Sequence, residues 1–121
     1  SGESRQSYVP LVTERFVCGR GGGERANNPA IIDLSYTWSW AVSGHSAQDM
    51  IDYVESAVSN GQWAIICMHG VGGEHIAIET EALEGLCDHL DANRSRIHTD
   101  TVVSVADTIV SRRKELNIVA P

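Results

Sequence analysis

The sequence predicts an α/β domain in which mostly parallel strands alternate with helices. Three observations carry that expectation. Residues 63–68 form a continuous apolar run of strand length, helical apolar periodicity flanks it on both sides, and glycine-rich loops sit at the joints.

The elements are expected in the following order. Residues 1–12 are an N-terminal extension, polar over its first seven positions, and residues 13–121 carry the domain itself. Residues 13–18 have the length of a short strand. Gly19-Arg20-Gly21-Gly22-Gly23 is a loop that continues through Asn27-Asn28-Pro29, and Ala30-Ile31-Ile32-Asp33-Leu34 resumes an apolar run of strand length. Ser46 with Asp49 three residues later fits a capping box, and Met50, Ile51, Val54, Ala57 and Val58 then share one helical face until Asn60-Gly61 stops it. Trp63-Ala64-Ile65-Ile66-Cys67-Met68 is apolar on both sides, as in a strand of a parallel sheet covered by helices. A glycine-rich loop over 69–75 follows, and Thr80 is expected to cap a helix with Leu83, Leu86, Cys87 and Leu90 inward. Arg96-Ile97-His98 is a short strand candidate. Thr99 or Thr101 caps a last helix whose inner face is Val102, Val105, Ala106, Ile109 and Val110.

Composition narrows the function classes. The chain has 121 residues, 42% of them hydrophobic, with nine Lys+Arg against 16 Asp+Glu for a net charge of −7. An acidic chain without a basic stripe argues against a nucleic-acid partner, and Arg112-Arg113-Lys114 fall where cations complement a helix C-terminus. No apolar run approaches the ~20 residues needed to span a bilayer, so no membrane partner is expected. Ser1-Gly2 opens a polar stretch without the apolar region of a signal peptide. Cys18, Cys67 and Cys87 lack metal-like spacing, and Cys67 and Cys87 are expected to be small buried hydrophobes.

In α/β folds the loops that follow strand C-termini gather on one face and carry the site. Two polar residues sit directly beyond expected strands, Arg20 and His69, and glycines beside both permit close approach of a ligand or another backbone. His69 can act as a general acid or base near neutral pH; its structural alternative is a histidine tying down its own loop. Arg20 can clamp a carboxylate or orient a catalytic acid, against the alternative of a solvated arginine. A metal shared by His69 and His75 with Glu74 matches no familiar zinc spacing. His45, His89 and His98 are expected to be structural or solvated. Trp38 and Trp40, two apart, would share a side of an extended segment and could stack on a sugar, or fill core. Gly21-Gly22-Gly23 is not a phosphate-binding P-loop, because no Gly-Lys-Ser/Thr follows, and no Gly-x-Ser-x-Gly elbow occurs.

The stretch Gln62-Trp63-Ala64-Ile65-Ile66-Cys67-Met68-His69-Gly70-Val71-Gly72 resembles the last block of polysaccharide deacetylases of the NodB-homology type, in which an apolar strand ends in a histidine. Phe16-Val17-Cys18-Gly19-Arg20-Gly21-Gly22-Gly23 is similar to the block in which an arginine follows a strand. The resemblance covers roughly residues 13–113. It implies a distorted (β/α) barrel that hydrolyses acetyl groups from a carbohydrate with a divalent metal such as zinc. It also implies an extracellular or periplasmic setting. By that resemblance His69 is the general acid toward the leaving group and Arg20 orients a catalytic aspartate. The family's Asp-Asp strand end and His-x-x-x-His motif have no counterpart here, and the block between the two matched ones is echoed only by residues 33–40. The chain therefore resembles the C-terminal half of such a barrel, without metal ligands of its own.

Three readings follow from the sequence. One is the C-terminal part of a metal-dependent deacetylase acting on carbohydrate. Another is a stand-alone, non-catalytic α/β module that self-associates or binds a sugar, since a half-barrel exposes sheet edges that pair with a second copy or a missing N-terminal half. The third is an unrelated α/β domain binding a small anion near Arg20.

Overall fold

The smallest complete unit of the fold is a β-α-β crossover. In the computed structural model, which describes residues 9–72 and 77–117, β1 (Trp40–Val42) pairs in parallel with β2 (Ile66–Met68), in the register Trp40–Ile66, Ala41–Cys67 and Val42–Met68. Parallel strands cannot be joined by a tight turn, and the connection here contains α2 (Ala47–Ser59). Around this unit lie α1 (Val9–Arg15), α3 (Thr80–Ala92) and α4 (Val102–Glu115), making four helices and one two-stranded sheet among the described residues.

Local chemistry fixes both ends of α2. The Ser46 hydroxyl accepts from the Asp49 N–H at 3.1 Å, and the Asp49 carboxylate accepts from the Ser46 N–H at 3.0 Å, which completes the capping box. At the other end Gly61 adopts φ +63°; Gln62 N–H donates to Ala57 C=O and Gly61 N–H to Val58 C=O. That is a Schellman stop, which favours glycine because the left-handed conformation strains a side chain. The inner face of α2, Met50 and Val54, packs with Val42, Ala82, Leu86 and Ile97 in one apolar cluster. Trp40, Ile66 and Met68 lean against the same cluster, so one face of the sheet is covered by helices. α2 and α3 approach closely, since a Cβ on Gly85 would lie 2.7 Å from the Ala47 Cβ.

Several expected elements differ. The segment taken for a strand at 13–18 overlaps α1, which ends at Arg15. Pro10 occupies the helix's first turn, where its missing N–H costs nothing, and Thr13 Oγ1 donates back to Val9 C=O at 3.1 Å. Residues 30–34 form turns rather than a strand. Asn28 Oδ1 accepts from Ala30 N–H and Asp33 Oδ1 from Ser35 N–H, so short polar side chains offer the backbone an alternative to a sheet. Residues 96–98 are not a strand either, because the Arg96 and Ile97 N–H groups both turn back to Asn93 C=O. The strand expected over 63–68 is shorter, with Trp63 meeting Asn27 in a separate antiparallel bridge. Glu79 rather than Thr80 occupies the N-cap of α3, while Thr101 caps α4 and accepts from Ser104 N–H at 3.3 Å. Cys87 is exposed, not buried.

α4 is anchored by an interaction the sequence did not suggest. Arg113, expected only to complement the helix dipole in the last turn, is 5% exposed. Its guanidinium donates to Pro29 C=O at 2.9 Å and Ile32 C=O at 2.7 Å, tying the end of α4 to the turn after the glycine loop.

Candidate functional site

Register decides which residues share a face of the sheet. Side chains alternate along strands, so Trp40 and Val42 with Ile66 and Met68 face the helices, while Ala41 and Cys67 face away. Arg20 bridges Thr37 in a parallel arrangement, which extends that pattern by one segment. Its guanidinium donates to Ser39 Oγ at 3.2 Å, and Ser39 Oγ donates to Gly21 C=O at 2.7 Å. Arg20, Ser39, Ala41 and Cys67 thus lie on the sheet face opposite the helical cluster. His69 is the first residue beyond β2, two after Cys67, and is exposed.

Both residues singled out from the sequence therefore belong to one side of the sheet, but at different heights. Arg20 is level with Thr37, five residues before the Val42 that pairs Met68, and that offset corresponds to roughly 17 Å of strand. No hydrogen bond joins Arg20 to His69. The loop leaving His69 is held by its own backbone: Ile78 N–H donates to Gly70 C=O and Gly72 N–H to Ile78 C=O, with Ile78 itself 1% exposed. His75 and Glu74 lie outside the described residues. Among the described residues no group of three His, Cys, Asp or Glu could hold a metal ion.

The glycines beside Arg20 serve packing. A Cβ on Gly21 would sit 2.7 Å from the Tyr36 ring, and one on Gly23 2.5 Å from Trp38 Cδ1, whereas one on Gly22 meets nothing within 4 Å. The close approach expected of a ligand or backbone is made at these two positions by rings of the neighbouring segment. Arg25 covers Trp38 at 4.7 Å from the ring centre. Trp40 has different neighbours, His45 and Tyr53, each with ring centres 4.7 Å away. The His45 ring is oriented further by Ser43 N–H, which donates to its Nδ1 at 2.9 Å.

One central residue carried no sequence signal. Asn27 is fully buried and staples two segments together. Its Nδ2 donates to Trp38 C=O at 2.9 Å and Trp63 C=O at 3.1 Å, and its Oδ1 accepts from Trp38 N–H at 2.7 Å. Reading Asn27-Asn28-Pro29 as loop was compatible with this role but could not reveal it.

The electrostatics divide into an ion-pair network and buried neutral groups. Glu55 of α2 receives both terminal nitrogens of Arg96, at 2.8 and 2.6 Å, and His89 Nε2 at 2.7 Å. Arg96 and then His89 hold the Glu55 carboxyl down to about 2. Burial pushes the Cys18 thiol up, partly opposed by a hydrogen bond with Thr37, which disfavours a reactive thiolate. Burial likewise raises the Tyr53 hydroxyl, with the Ile65 backbone pulling the other way, and among the described residues the hydroxyl has no hydrogen-bond partner.

Two cavities stand out, and neither is lined by His69 or Arg20. The larger, 580 Å³, lies at the N-terminal approach to β2, between α2, α3 and α4. The smaller, 500 Å³, lies between α1 and the turn after the glycine loop, with Tyr36 and Trp38 in its wall. Among the described residues no helix is long and apolar enough to cross a membrane. No protein-family model, curated protein or solved structure matches the chain.

Proposed function

We propose that this chain is the C-terminal part of a polysaccharide deacetylase-like domain, half of a distorted (β/α) barrel. The complete form would hydrolyse acetyl groups from a carbohydrate with a divalent metal. One observation supports the reading above the rest: His69 directly follows a parallel strand, and both it and Arg20, on the same side of the sheet, are exposed. In this reading His69 protonates the leaving group and Arg20 positions an acid supplied from outside these residues. The two tryptophans, Trp38 and Trp40, have different ring neighbours, and Trp40 packs on the helical side of the sheet, away from this surface. The metal belongs to the other half.

The test is acetate release from an N-acetylated oligosaccharide in the presence of zinc. The 121-residue chain alone is expected to release none, and turnover by it would overturn the half-site reading. In the complete domain, His69→Ala is expected to lower kcat by about 10²–10⁴-fold with KM little changed. Unchanged kcat removes His69 from the mechanism.

A second reading, a non-catalytic module that self-associates, is favoured by the exposure of Leu11, Phe16 and Ile31, at 56%, 66% and 69%. Light scattering separates the two: a stable dimer supports the module, a monomer removes it.

A further inference from the structure

We propose that the 580 Å³ cavity at the N-terminal approach to β2 binds a neutral amphipathic small molecule, an aliphatic chain bearing a hydroxyl or amide head. The cavity lies at the opposite end of β2 from His69, so the proposal is independent of the deacetylase reading. Its volume falls within the roughly 300–1,000 Å³ usual for small-molecule sites. Aliphatic side chains wall it on three sides: Val54 and Val58 from α2, Leu86 and Leu90 from α3, Val105 and Ile109 from α4.

The charge of the occupant follows from the lining residues. Arg96 lines the cavity, but both its terminal nitrogens are held by Glu55, and one also reaches Asn93 Oδ1 at 2.9 Å. His98 faces Asp100 at 3.7 Å. An anionic head would have to break the Arg96–Glu55 pair and would lie beside the Asp100 carboxylate, and a cationic head would have to compete with Arg96 for Glu55 or with His98 for Asp100. Two neutral side chains remain in the same wall, Gln62 and Thr99, and neither makes a side-chain hydrogen bond among the described residues. An amide and a hydroxyl together offer donors and acceptors, which suits an uncharged hydrogen-bonding head over an ion.

The probes are 1-octanol, 1-hexanol and octanoate, titrated into the chain at pH 8 by displacement of N-phenyl-1-naphthylamine and by calorimetry. Octanol is expected to bind saturably at one site, with affinity falling roughly fourfold per methylene removed. Octanoate should bind at least tenfold more weakly. Val105→Trp intrudes on the aliphatic wall from α4 and should weaken octanol binding severalfold while the circular dichroism is retained. If that variant does not fold, Thr99→Val decides: it keeps the volume, and octanol affinity should fall severalfold. Absence of saturable octanol binding, octanoate binding as tightly as octanol, full binding by a folded Val105→Trp, or unchanged affinity in Thr99→Val overturns the proposal.

Discussion

Removing the Asn27 side chain should cost more stability than any other single polar truncation in the described structure. Alanine at this fully buried position deletes three hydrogen bonds, of 2.7, 2.9 and 3.1 Å. Each contributes about 1 kcal/mol net, and leaving the buried Trp38 N–H without its acceptor adds about 1–3 kcal/mol. The Trp63 carbonyl keeps its bond from the Asn27 N–H at 2.7 Å, so its loss is partial. The expected total is about 3–5 kcal/mol, or a fall of roughly 2 M in the urea midpoint. Asn27→Asp is nearly isosteric and sharpens the argument. It preserves the acceptor for Trp38 N–H but turns a carboxylate oxygen toward two carbonyls, so at pH 7 it should cost at least as much as alanine. Burial and those carbonyls favour its neutral form, which can donate once, so the deficit should shrink as pH falls. Tryptophan fluorescence is a direct probe, because the partners of Asn27 are the backbones of Trp38 and Trp63. Asn28 is the control: it is exposed, its side chain accepts once from Ala30 N–H, and Asn28→Ala should cost under about 1 kcal/mol. A loss below about 1 kcal/mol in Asn27→Ala, or wild-type stability of Asn27→Asp at pH 7, would refute the staple.

Other perturbations separate packing from chemistry. Gly23→Ala should destabilise by about 1–3 kcal/mol, since φ is +117° and the new Cβ meets Trp38, whereas Gly22→Ala should stay within about 0.5 kcal/mol. Equal effects in chemical denaturation would refute the packing account of the glycine run. Glu55, held at about 2 against an ordinary 4.5, contributes stability that is fully present above pH 4.5 and lost as pH falls from there through 2. The stability gap between wild type and Glu55→Gln should therefore close over that window, and a gap constant from pH 6 to 2 contradicts the assignment. Arg113→Met should cost about 1–3 kcal/mol, regained desolvation offsetting part of two lost charge-assisted bonds, and should loosen α4 first in amide exchange. Exchange in α4 that matches wild type would show that Arg113 does not anchor it.

What was legible in the sequence was whatever short-range chemistry determines. The capping box at Ser46 and Asp49, the Gly61 stop and the apolar faces of α2 and α3 all depend on residues within a few positions of each other. The parallel pairing of β2 was also expected from the apolar run at 63–68, although only its Ile66 and Met68 side meets the helical cluster and no residue of β2 is fully buried. The errors came where local polar side chains outcompete a sheet, as at Asn28 and Asp33, or where a six-residue window cannot distinguish a strand from a helix, as at 13–18. The candidate site was half readable. The position of His69 beyond a strand is local information, whereas the height difference between Arg20 and His69 depends on register across three segments. Asn27 and Arg113 act over 11 to 84 residues of separation, and neither residue type nor spacing announces such a partner.

The central claim is that Arg20 and His69 belong to one sugar-facing surface. It is tested most directly by titrating the ¹⁵N-labelled chain with an N-acetylated glucosamine oligomer and following its amide and histidine side-chain resonances. The account predicts saturable shifts confined to His69, Gly70, Cys67, Arg20 and Ser39, weakened by His69→Ala without loss of fold. Shifts confined to the helical side of the sheet around Met50 and Leu86, or none at millimolar oligomer, would contradict it.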